Sequence, residues 1–239
     1  MTLRRSTFIA LAAVALGLAV PVHAGNTLIP AGQRVAVAGS TLTVQPDAEW
    51  NRLAARPGRY AERWTIDGAP LDALTFYGGI ADGKTLFREV DRKARPLPRV
   101  AATMLITDIP TLLENSYRVA LGIAAMTIER VEPARFAGNN GVHFTYSYIR
   151  SNESLHRRGE AFGAIIRGRL YLITYEAPAL HYYERSAPAA RRVAESAKVL
   201  RTQRGSRRCP IGWVTPDSFR GPLGRKGKAS PQAFSSAAK

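Results

Sequence analysis

The chain has 239 residues, 46% of them hydrophobic and 22% charged, an ordinary globular composition long enough for one substantial core or two small ones. Its single cysteine, Cys209, excludes any disulfide within the chain, so the fold has to be held by its core. The formal net charge is +16, and the last 39 residues carry a disproportionate share, with nine basic residues against one acid. Such a balance favours anionic partners and says nothing about fold.

Residues 1–24 read as a secretory signal peptide. MTLRR is a short basic head, STFIALAAVALGLAV is uncharged, and Val22 and Ala24 are the small residues that precede a cleavage point. The apolar run is too short to cross the roughly 30 Å hydrocarbon core comfortably, so removal is expected, leaving Gly25 as the new N-terminus. Arg4-Arg5 leaves the general secretory and the twin-arginine routes both open. The expected location is outside the cytoplasm, periplasmic or secreted.

The region 25–202 alternates apolar and polar residues between turn signals and reads as one domain. Arg34–Val37 and Thr41–Val44 predict strands flanking a turn at Gly39-Ser40, and Pro46–Trp50 predicts a turn. Glu62–Ile66 predicts a strand ended by Asp67-Gly68, and Leu71–Tyr77 one ended by Gly78-Gly79. Arg88–Arg99, charged and with two prolines, predicts a loop.

A helix is predicted from Pro110 to about Met126, with Asp108 ahead of it and proline in its first turn. Thr127–Phe136 predicts a strand, Gly138–Gly141 a turn, and Val142–Tyr148 a strand with Val142, Phe144, Tyr146 and Tyr148 on one face. Two more strands meet at Arg167-Gly168, a two-residue type I′ turn. This arrangement puts Arg158 and Glu160 on one face, and Tyr171, Ile173 and Tyr175 together on the neighbouring strand. A closing helix is predicted from Pro188 to Leu200, capped by Ser186, with Ala190, Val193 and Ala197 facing the sheet.

The fold class is therefore α+β, an antiparallel meander covered by helices. DIPTLLE opening a helix, the Gly138–Gly141 turn and GRLYLITYEAP, with Ala194-Glu195-Ser196 behind them, make the chain resemble the PsbP-like family over residues 41–200. The segment Pro46–Leu86 is also similar to small exported bacterial proteins. The resemblance implies an antiparallel sheet sandwiched between helices and a role in binding or assembly. It implies no ligand residues.

The motifs of common chemistries are missing. No GxSxG elbow, GxGxxG fingerprint or complete P-loop occurs, since GPLGRKGKAS has Ala229 in the Ser/Thr position. His181 and Glu184 form too poor a set for zinc, and neither a metal nor a cofactor is expected. The catalytic alternative is an envelope hydrolase using Glu160 and Glu176, which count as near neighbours across the hairpin ladder; Arg157, Arg158 and Arg169 are close enough in sequence to neutralise them.

Residues 203–239 are rich in Gly, Pro, Ser and basic residues, a composition that predicts a largely disordered tail. Arg204, Arg207, Arg208, Arg225, Lys226 and Lys228 are its candidate contacts to an anionic membrane surface or polyanion. The sequence thus favours a non-enzymatic binding or accessory protein of the bacterial cell envelope. A protein partner fits that role, whereas specific recognition of nucleic acid is not expected of an exported chain.

Overall fold

The computed structural model describes residues 25–151 and 153–201. The expected signal segment and the basic tail lie outside the described residues.

Eleven strands form two sheets among the described residues. They are β1 (Thr27–Ile29), β2 (Val35–Ala36), β3 (Leu42–Val44), β4 (Trp50–Arg52), β5 (Ala61–Thr65), β6 (Ala73–Ile80), β7 (Ile123–Phe136), β8 (Asn139–Arg150), β9 (Arg157–Ile166), β10 (Arg169–Pro178) and β11 (Lys198–Val199). The large sheet has eight antiparallel strands in the order β1-β4-β5-β6-β10-β9-β8-β7. The small one has the order β11-β3-β2. Helix α1 (Ile109–Leu121) covers one face of the large sheet and α2 (Tyr182–Glu195) the other, each with its own buried cluster. The antiparallel sheet between helices that the resemblance implies is present.

Strand alternation reads through as expected in β8, where Val142, Phe144, Tyr146 and Tyr148 are buried and the residues between them half-buried. Tyr171, Ile173 and Tyr175 of β10 share the α2 face. Arg167 (φ 54°) and Gly168 (φ 67°) close the β9–β10 hairpin with two positive φ values, as a type I′ turn requires.

Several boundaries differ from expectation. Helix α1 stops at Leu121 because Gly122 takes the left-handed conformation at its C-cap. Ile123 and Met126 therefore belong to β7, where they are buried. Helix α2 starts at Tyr182, six residues ahead of Pro188, which sits inside it. Burial of Tyr183, Ala187, Ala190, Val193 and Ala194 against the sheet outweighs the backbone bond that proline cannot make. Ser186 is consequently a buried helical residue and not a cap. The same helix ends at Glu195, and Lys198–Val199 pair with β3.

Two turns are also redrawn. The β7–β8 hairpin turns on Ala137-Gly138, since Phe136 pairs with Asn139, and so Asn139, Asn140 and Gly141 are strand residues. Gly78 and Gly79 lie within β6, opposite a register shift in β10. A Cβ on Gly78 would come within 2.2 Å of Ser40 Oγ, so the small sheet approaches β6 through that gap.

Candidate functional site

The β9–β10 register separates the two acids of the catalytic alternative. Glu160 pairs with Tyr175 and Glu176 with Gly159, one residue out of step. Side chains one residue apart in a ladder point to opposite faces. Glu160 thus lies on the α2 face and Glu176 on the α1 face, with the sheet between them. Hydrolysis of a glycosidic bond needs both carboxyl groups flanking one bond in one cleft. These two cannot flank one bond, and the expectation that they are usable neighbours is corrected.

Glu160 is almost fully buried and is bound by α2. Arg191 Nε donates to its Oε2 at 2.6 Å, and His143 Nε2 lies 3.5 Å from the same oxygen. His143 stacks on Phe162 with ring centroids 4.3 Å apart and has Glu132 on its far side. The arginines expected to neutralise the acids go elsewhere. Arg157 donates to the Pro70 carbonyl, Arg158 to Glu184 and Arg169 to the Gly79 carbonyl. Engaged by the Arg191 guanidinium, Glu160 fastens α2 to the sheet.

Glu176 faces tyrosines. Tyr77, Tyr117, Tyr146 and Tyr148 are buried on the same face, and Tyr117 meets Tyr146 and Tyr148 edge-on. Desolvation pushes all four phenols above their ordinary range, and the nearby Glu176 charge pushes them further; Arg63 opposes this at Tyr77. The phenols stay protonated at any working pH and can only offer O–H groups to the carboxylate. Tyr77 Oη, Tyr148 Oη, Thr174 Oγ1 and Glu176 Oε2 have no hydrogen-bond partner among the described residues.

An open cleft of about 890 Å³ lies on the α1 side, between the loop after β4, the 87–97 loop and the end of α1. Four arginines line it: Arg56, Arg63, Arg88 and Arg95. Its floor is Phe87 and Leu97, both buried, and Val119 and Leu121 of α1 form one wall. Phe87 packs edge-on against Tyr77 and Tyr117, which fixes the floor to the core.

The charges in this cleft are unbalanced. Arg63 Nε donates to Thr75 Oγ1 at 3.3 Å and Arg56 sits 3.7 Å from Glu62, but Arg63, Arg88 and Arg95 make no ion pair with a described residue. The acid on the rim, Asp91, accepts the backbone N–H groups of Lys93 and Ala94. Unpaired arginines lining a concave site are suited to bidentate recognition of carboxylate or phosphate.

The sequence reading missed this cleft. Its arginines are spread over 40 positions with no shared motif, and the 88–99 loop read simply as charged. The signal that could have found it is a cluster of unmatched arginines beside two buried apolar anchors, Phe87 and Leu97. Among the described residues no group of three or more His, Cys, Asp or Glu side chains is placed to hold a metal ion. Arg204, Arg207, Arg208, Arg225, Lys226 and Lys228 lie outside the described residues.

No protein-family model and no curated protein sequence matches the chain. Solved structures do. The chain is similar to cyanobacterial PsbP (CyanoP) from Synechocystis sp. PCC 6803, at 14% identity and a TM-score of 0.47 over 72% of this chain and 94% of that one. It is also similar to PA94, a Pseudomonas aeruginosa protein of unknown function, at 13% identity and a TM-score of 0.39 over 74% and 99%. A third is LpqN, involved in cell envelope biogenesis of Mycobacterium tuberculosis, at 10% identity and a TM-score of 0.28 over 74% and 91%. Function has to come from this chain's own residues.

Proposed function

We propose that the protein is an exported, non-enzymatic binding or accessory factor of the cell envelope, and that it takes an anionic ligand in the arginine cleft. The observation that carries the reading is that Arg63, Arg88 and Arg95, none ion-paired with a described residue, line one cleft of ligand-binding size. The export part rests on the basic head, apolar run and Val22-x-Ala24 ending of residues 1–24. The tail, with its eight basic residues against Asp217, adds a second and sequence-independent attraction to anionic surfaces.

The test is a titration of the protein spanning 25–239 with inorganic phosphate, followed through the arginine side-chain Nε–H signals in NMR spectra. Saturable shifts confined to Arg63, Arg88, Arg95 and Arg56 are the expected result. Uniform small shifts of all exposed arginines would mean ionic-strength effects only and would remove the cleft from the proposal.

A further inference from the structure

The cleft is lined by both arginines and apolar side chains, and this combination says what class of anion it holds. Arg63, Arg88 and Arg95 supply the charge. Phe87, Leu97, Val119 and Leu121 supply a continuous apolar strip along the floor and the helix wall. At the rim, Val90 is 91% exposed, an apolar side chain with nothing covering it.

The helix sets the orientation. Val119 and Leu121 belong to the last turn of α1, where the helix dipole is negative and repels an anion. A charged head is therefore better placed on the arginines than at the helix end. The space beside Val119 and Leu121 suits the uncharged part of the same ligand. A small inorganic anion would use the arginines and leave this strip wet.

We infer that the cleft takes a single-chain anionic amphiphile as a monomer, with its phosphate or carboxylate head on Arg63, Arg88 and Arg95 and its alkyl chain along Phe87, Leu97, Val119 and Leu121. This rests on the anion-binding reading of the cleft and narrows its ligand class. Head and chain contribute separately. The guanidiniums give charge-assisted hydrogen bonds, and each methylene removed from water adds affinity in proportion to the area it buries.

The experiment is a calorimetric series with inorganic phosphate, butyl phosphate and dodecyl phosphate below its micelle concentration, with the uncharged dodecyl maltoside as a control. Dodecyl phosphate should bind at least about tenfold tighter than butyl phosphate, because eight further methylenes have apolar wall to cover. Arg88→Gln with Arg95→Gln should weaken all three phosphates. Both side chains are exposed, so the double variant keeps its fold. Leu121→Ser should weaken dodecyl phosphate alone.

If phosphate binds but chain length changes nothing, the amphiphile inference falls and the anion reading stands. If the maltoside binds as well as the phosphate, the head contributes nothing and the inference also falls. If no phosphate binds, both fall. Anionic vesicles that bind the native protein more strongly than the double variant, while monomeric dodecyl phosphate does not bind, would move the ligand from a free amphiphile to a bilayer and overturn the monomer assignment.

Discussion

At the scale of single residues, buried carboxyl groups show how one chemical type takes three roles. Glu160 is neutralised by Arg191, Glu176 is faced by protonated phenols, and Asp72 is a backbone organiser. Asp72 accepts the hydroxyl of Thr65 and the N–H groups of Ile66 (2.9 Å) and Asp67 (2.8 Å), which shapes the bend after β5. Desolvation nonetheless raises its carboxyl above the usual 3.8, outweighing those three bonds. The folded state then holds this proton more tightly than the unfolded chain. Its contribution to stability is smallest above the raised value, grows as pH falls through it, and levels off below 3.8. Asp72→Asn should cost about 1–3 kcal/mol at pH 7, because an amide N–H group would meet a backbone donor. The gap in urea midpoint between native and variant should widen as pH is lowered from 7 toward 3.8; a gap that narrows would contradict the raised value.

At the scale of elements, β9 works through what it lacks. Gly159, Ala161 and Gly163 alternate along its α1 face, leaving a low strip on which other groups lie flat. A Cβ on Gly159 would stand 2.3 Å from Tyr146 Cζ, and one on Gly163 2.9 Å from Leu172 Cδ1. In an open strand, Gly→Ala stabilises by restricting the unfolded chain. Here Gly159→Ala should have the opposite sign, costing roughly 1–3 kcal/mol through displacement of a fully buried ring. A midpoint equal to or above that of the native protein in urea unfolding would show that Tyr146 does not rest on Gly159. The signal for this strip is present in RRGEAFGAII, with small residues at every second position of RGEAFGA, but attention to charges and aromatics passes over it.

At the scale of the whole molecule, two cationic features are proposed to meet anions in different ways. The cleft offers geometry, and the tail offers charge alone. Each basic tail residue near an anionic membrane adds about 1 kcal/mol within a Debye length of roughly 8 Å at physiological salt. The protein recovered after export, with mass spectrometry reading its first residue as Gly25, should co-sediment with anionic vesicles at low salt and release as salt rises. A version ending at residue 202 should lose most of that binding. Equal sedimentation by both would take the tail out of the proposal, and an intact Met1 would remove the export part.

The sequence by itself determined whatever depends on a few neighbouring residues: the Arg167-Gly168 hairpin, the alternation of Val142–Tyr148, the start of α1 near Asp108-Ile109-Pro110 and the charge imbalance of the tail. Turn chemistry and period-two burial are local rules, so they survive without a structure. The separation of Glu160 from Glu176 was legible too. The two-residue turn places Ile166 opposite Arg169, counting on places Tyr175 opposite Glu160, and the odd residue to Glu176 reverses its face. Proximity counted without that parity misled. Only the tertiary structure decided where the helices stop, which arginine neutralises Glu160, and that Arg56, Arg63, Arg88 and Arg95 share one cleft. Helix α2 runs through Pro188 because its apolar side is buried on the sheet, an energy no local propensity contains. The cleft exists because β5, the 87–97 loop and the end of α1 are brought together by a core they share, and no spacing in the chain records that meeting.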